Sequence, residues 1–95
     1  MKVNVAFHNV DHSDALVSFI QKKSLQVEKM LWNGEKLSWV IENNASNFSP
    51  KLMLKLKNKA IDVVAEDADA FQAVLKVVDK AKRLVKDDHK KLKDN

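Results

Sequence analysis

The chain has 95 residues, 45% hydrophobic and 32% charged, and a chain this short buries only roughly 60 to 65% of its unfolded surface, so the sequence predicts one domain over residues 1–95 with a single two-layer core. The lack of cysteine excludes a disulfide framework and a thiolate metal site, and no stretch has the roughly 18 apolar residues of a membrane span or the apolar core of a signal peptide. A cytoplasmic protein with no membrane partner is expected. The net charge of +4 is unevenly placed: residues 1–75 carry nine Lys against nine Asp plus Glu, and residues 76–95 carry eight Lys plus Arg against four Asp.

In chain order, Lys2 to His8 alternates, with Val3, Val5 and Phe7 on one side, the period of a half-buried strand. Ser13 caps a helix whose first turn holds Asp14 and whose apolar stripe is Leu16, Phe19, Ile20, Lys23, Val27, Met30 and Leu31. This helix is predicted to end at Asn33-Gly34, where Gly34 suits a left-handed position. From Lys36 to Glu42, Leu37, Trp39 and Ile41 alternate with Ser38, Val40 and Glu42. The Asn- and Ser-rich stretch that follows, through Pro50, reads as a loop. Its sequons, Asn44-Ala45-Ser46 and Asn47-Phe48-Ser49, would matter only in a secreted chain.

Lys51 to Lys57 then sets Leu52, Leu54 and Leu56 against Lys51, Met53, Lys55 and Lys57, and so predicts a strand with one wet, basic face. After the turn at Asn58-Lys59, Ala60 to Ala65 reads as a fourth strand. Asp67 or Asp69 opens a second helix. The expected class is α+β, a β-α-β-β-β-α domain whose four-stranded sheet carries both helices on one face.

In the second helix, Phe71, Val74, Leu75, Val78, Ala81 and Val85 are expected to form the buried side, while Lys76, Lys80, Arg83 and Lys90 project within roughly 80° of one another on the other. Such a row follows a phosphate backbone by releasing condensed counterions. With only Leu92 apolar beyond Val85, about residues 87–95 are expected to fray or overhang. Asp79 is placed to pair with Lys82 or Arg83, and Asp87 and Asp88 reduce the positive potential where the helix leaves the core. Lys22 and Lys29 of the first helix point away from its stripe; Lys23 lies within it and reaches water by its stem.

Asp69-Ala70-Phe71-Gln72-Ala73-Val74, then Val77-Val78-Asp79-Lys80-Ala81-Lys82-Arg83 and Lys91-Leu92-Lys93, resemble the ribosome hibernation-promoting factor and ribosome-associated inhibitor A family. The likeness extends to Ala65-Glu66, to Asp14-Ala15-Leu16 with Phe19, Lys23 and Glu28, and to Asn9-Val10. It implies a domain similar to double-stranded-RNA-binding domains that does no chemistry. It further implies binding in the decoding channel of the small ribosomal subunit, with basic helix residues on its rRNA, so that translation is blocked under stress or in stationary phase. Lys23, Lys80 and Arg83 match basic positions of the family, and Lys76, Lys86, Lys90 and Lys91 add cations. The length resembles the short members, which lack the C-terminal domain used for ribosome dimerisation. Phe7, Val17 and the run Asp87-Asp88-His89 depart from the family pattern, the last standing where a basic cluster is usual.

Catalytic chemistry finds no support in the residues. His8 and His12 straddle a strand end and a loop, which gives no metal-ligand geometry; Asp11-His12-Ser13 are consecutive side chains that diverge and form no triad; one glycine excludes the common phosphate loops. No cofactor and no small-molecule substrate are expected. Trp32 and Trp39 are read as packing rather than as base-stacking platforms. The competing readings are an adaptor that binds an acidic protein and a general binder of structured RNA.

Overall fold

The computed structural model describes residues 3–93. Its elements are β1 (Asn4–Phe7), α1 (Asp14–Glu28), β2 (Lys36–Asn44), β3 (Asn47–Lys55), β4 (Ala60–Val64) and α2 (Ala70–Lys93). The sheet order is β1-β2-β3-β4, with β1 parallel to β2 and the other pairs antiparallel. Parallel neighbours need a long crossover, and α1 is that crossover. The expected α+β class and β-α-β-β-β-α order are those observed.

Register decides which residues enter the core. Val5 lies opposite Trp39, Trp39 opposite Leu52 and Leu52 opposite Val63, so this row points to one face and, by the two-residue period, Ala6, Val40, Lys51 and Val64 point to the other. Trp39, Ile41, Leu52, Leu54 and Val63 cluster with Leu16, Ile20 and Val27 of α1 and with Val74, Val77, Val78, Ala81 and Val85 of α2. Both helices therefore cover the same face, and the alternate face stays open.

α1 begins as its cap requires: the Ser13 hydroxyl accepts from the Leu16 N–H at 3.2 Å, a contact worth about 1 kcal/mol. It ends earlier than Asn33-Gly34. The Met30 and Leu31 amides donate to the carbonyls of Val27 and Glu28 in a tightened turn, which leaves Met30 and Leu31 packed on the core without a continuing helix. Gly34, at φ 91°, serves instead the turn into β2, where the Glu35 amide donates to the Trp32 carbonyl at 3.0 Å.

The expected loop through Pro50 is strand. β2 and β3 pair up to Asn44 and Asn47, leaving a two-residue turn with Ala45 left-handed at φ 56°. Pro50 fits because of direction. The Phe48 amide donates to the Asp67 carbonyl, so the nitrogen of Pro50, two residues on, faces the same side, just before the β3–β4 ladder starts at Lys51. No ladder bond is lost there.

α2 is capped by Asp69 rather than Asp67: its Oδ1 accepts from the amides of Phe71 at 2.9 Å and Gln72 at 3.4 Å, and its carbonyl accepts from Ala73. Its buried arc is also rotated from the expected one. Ala73 and Val77 are fully buried, whereas Phe71 is 39% exposed and Leu75 is only partly covered. The reason is contact on two sides: α2 rests on β3 and β4 and also abuts α1, so its centre of burial lies between them. The overhang expected from about residue 87 does not start there, because Asp88 is 3% exposed and His89 is packed against Trp32. Asp94 and Asn95, part of that expectation, lie outside the described residues.

Candidate nucleic-acid interface

Arg83, Lys86 and Lys90 lie on the solvent side of α2 and are exposed, and among the described residues none of them forms an ion pair. Their spacing of three and four places them along one face. Lys91 is exposed as well. Lys76 and Lys80 belong to the flank next to β4 and are committed to the protein's own groups. The Lys76 ammonium lies 2.9 Å from Asp67 Oδ2 and donates to the Glu66 carbonyl at 3.2 Å; that of Lys80 donates to the Val64 carbonyl at 3.1 Å. The Asp69 amide and the Lys76 ammonium hold the Asp67 carboxyl below its ordinary range.

On the α1 side, Lys22 and Lys29 are exposed and Lys23 is half-buried. Lys23 Nζ stands 5.7 Å from the centre of the Phe19 ring, and Phe19 meets Phe71 of α2 edge-on with centroids 5.0 Å apart. Further along the same seam, Lys82 Nζ reaches Gln26 Oε1 at 3.4 Å. Phe19, Lys23 and Gln26 recur at helical spacing, so this seam brings Lys23 of α1 and Lys82 of α2 to one line between the helices. Helical spacing suggests Lys82 or Arg83 as a partner for Asp79. Asp79 in fact makes no ion pair among the described residues.

The two consecutive aspartates of α2 separate. Asp87 is exposed, but Asp88 turns inward and pairs through Oδ1 with Lys59 at 3.2 Å. It therefore does not reduce the outer potential in the way the sequence suggests. Beside it, His89 Nε2 lies 2.8 Å from Glu35 Oε1, and the imidazole stacks on Trp32 at 3.7 Å between centroids. Burial pushes the Glu35 carboxyl up, yet the Trp32 amide, the His89 ring and the Lys57 amide outweigh it and leave the group below its ordinary value. Nothing local in the sequence signals this cluster, because its members come from three separate segments.

The tryptophans have structural roles: Trp39 is 1% exposed and donates from Nε1 to Ser24 Oγ at 2.8 Å, and Trp32 is covered by His89. His8 pairs with Glu42 at 3.7 Å on the open sheet face, and His12 with Asp14 at 3.4 Å. The two histidines serve different carboxylates. No helix is long and apolar enough to cross a membrane among the described residues.

The chain matches a known family model, described as sigma 54 modulation protein / S30EA ribosomal protein, over residues 3–93. The chain belongs to this family. The resemblance drawn from the motifs of α2 is thereby borne out. Among solved structures, the chain is similar to the Protein Y N-terminal domain of Thermus thermophilus, with 21% identity, 90% of this chain and 97% of that one covered, and a TM-score of 0.77. It is also similar to a ribosomal subunit interface protein from Coxiella burnetii, with 19% identity, 92% and 96% covered, and a TM-score of 0.75. At such identities these two likenesses speak to fold. Among curated proteins compared by sequence, none matches the chain.

Proposed function

We propose that this S30EA-family chain is a ribosome hibernation factor: it binds rRNA of the small subunit in the decoding channel and blocks translation by occupying space needed by messenger and transfer RNA. The observation that carries this reading is the row of Arg83, Lys86 and Lys90 along the solvent face of α2, unpaired among the described residues, in a sequence with no comparable excess of charge elsewhere. Cations fixed on a helix at this spacing neutralise successive phosphates, and the counterions they displace drive binding. Lys22, Lys23 and Lys29 widen the surface from α1, Lys76 and Lys80 line its β4 flank, and exposed Lys91 extends it near the helix end. The action is steric and requires no bond chemistry.

Sedimentation of the purified chain with separated ribosomal subunits across a salt series tests this. Pelleting with small subunits at low salt, lost steeply as salt rises and lost in the double variant Arg83→Glu with Lys90→Glu, supports the reading. Failure to pellet with intact small subunits in dilute buffer overturns it. Equal affinity for free RNA duplex and for small subunits would instead assign a general structured-RNA binder, and binding that survives nuclease would assign a protein partner.

A further inference from the structure

The inner end of α2 gathers three potential ligands that the ribosome-binding reading does not use. Glu35 Oε1, the carboxylate of Asp88 and His89 Nε2 have ligand atoms within 4.8 Å of one another, and the side chains are 0%, 3% and 12% exposed, respectively. One carboxylate is only half satisfied. Asp88 Oδ1 pairs with Lys59, but Oδ2 is shut off from solvent and has no hydrogen-bond partner among the described residues. Buried carboxylate oxygens are normally partnered, so an unpartnered oxygen on a member of a three-ligand cluster suits the binding of a cation.

We propose that Glu35, Asp88 and His89 form a binding site for a divalent transition-metal ion of the zinc class. An imidazole nitrogen with two carboxylates suits zinc better than the all-oxygen sets preferred by magnesium and calcium. Metal bonds of about 2.0–2.2 Å separate ligand atoms by roughly 3–4 Å, so the ion requires the His89 Nε2–Glu35 Oε1 pair, 2.8 Å apart, to open slightly while the Asp88 carboxylate, within 4.8 Å, draws in. The outer supports already exist: the Trp32 amide donates to Glu35 Oε1 at 2.7 Å, the Lys57 amide donates to Oε2 at 3.1 Å, and the Trp32 indole fixes the plane of the imidazole. Such contacts orient ligands in metal sites. The Lys59 ammonium, on a side chain 44% exposed, occupies the position of positive charge and is free to swing into water when the ion enters. Glu35 also borders an open groove of about 900 Å³ lined by Trp32, Gly34 and Ala60.

The full-length chain, stripped with chelator and dialysed, is titrated with zinc while Trp fluorescence and thermal stability are followed, and with cobalt while the visible absorption is followed. One equivalent of zinc should change the Trp32 emission and raise Tm by several degrees; cobalt should develop a visible band, and magnesium should do neither. Asp88→Asn, which keeps the size of the side chain and the His89–Glu35 contact, should weaken zinc binding by at least about tenfold, and His89→Gln should remove the cobalt band if Asp88→Asn folds poorly. No response to stoichiometric zinc, or an unaltered response in both variants, overturns the site; the latter result would assign the metal to the surface His8 or His12. Ribosome pelleting of these variants is scored separately, so that failure here leaves the preceding reading intact.

Discussion

The indole of Trp32 lies flat on the imidazole of His89, ring centroids 3.7 Å apart and planes 7° from parallel. Because the same imidazole reaches Glu35 through Nε2, one side chain near the end of α2 is held at two points of the connection between α1 and β2. His89→Ala removes the stack and takes a partner from a buried carboxylate, so it is expected to cost about 1–3 kcal/mol. Urea unfolding at neutral pH measures this. An unchanged midpoint would mean that the helix end is not docked in solution.

The same contact predicts a pH dependence. Glu35 titrates below its ordinary value of 4.5 in the folded protein, so the stability it contributes is complete above that value and is lost as pH falls through the lower folded one. Asp67 acts in the same direction. Glu35→Gln should lower stability at pH 7 and flatten its decline as pH falls below 4.5. Parallel curves for the variant and the unaltered chain would count against the assignment.

Lys76 and Arg83 should differ in their contribution to RNA binding. Arg83 is unpaired among the described residues, whereas Lys76 already faces Asp67 at 2.9 Å. Arg83→Gln should therefore reduce the slope of log K against log salt by about 0.7–0.9, and Lys76→Gln by clearly less. Equal effects in a filter-binding series would show that the Lys76–Asp67 pair opens on the RNA.

Neighbouring aspartates give opposite expectations. Asp87 is exposed beside the cationic row, so Asp87→Lys should strengthen small-subunit binding at moderate salt with little change in stability. Asp88→Lys places a second ammonium beside Lys59 in a buried position and should destabilise by about 3–5 kcal/mol. Thermal melts paired with pelleting separate the two effects.

Gly34 tests the turn into β2. At φ 91° a side chain is strained, while an added Cβ would meet only Lys57 Nζ at 3.6 Å, an ordinary contact. Gly34→Ala should thus cost about 1–2 kcal/mol from backbone conformation alone. A neutral result by denaturant unfolding would remove the left-handed turn.

The order of elements, the Ser13 cap, the alternation that sets Val5, Trp39 and Leu52 each on one side of its strand, and the basic character of α2 follow from sequence, because each depends on periods of two or 3.6 residues and on neighbours within a turn. The strand passing through Pro50 was not legible, since its tolerance there depends on where β4 and Asp67 happen to pair. Nor was the commitment of Lys76 to Asp67 or the inward turn of Asp88 beside Lys59. A helical wheel fixes angles between residues but not the zero from which they are counted; for α2 that zero was set by packing against β3, β4 and α1 together. Sequence alone determined how many cations the helix carries, and only the tertiary contacts decided which of them remain available to a phosphate.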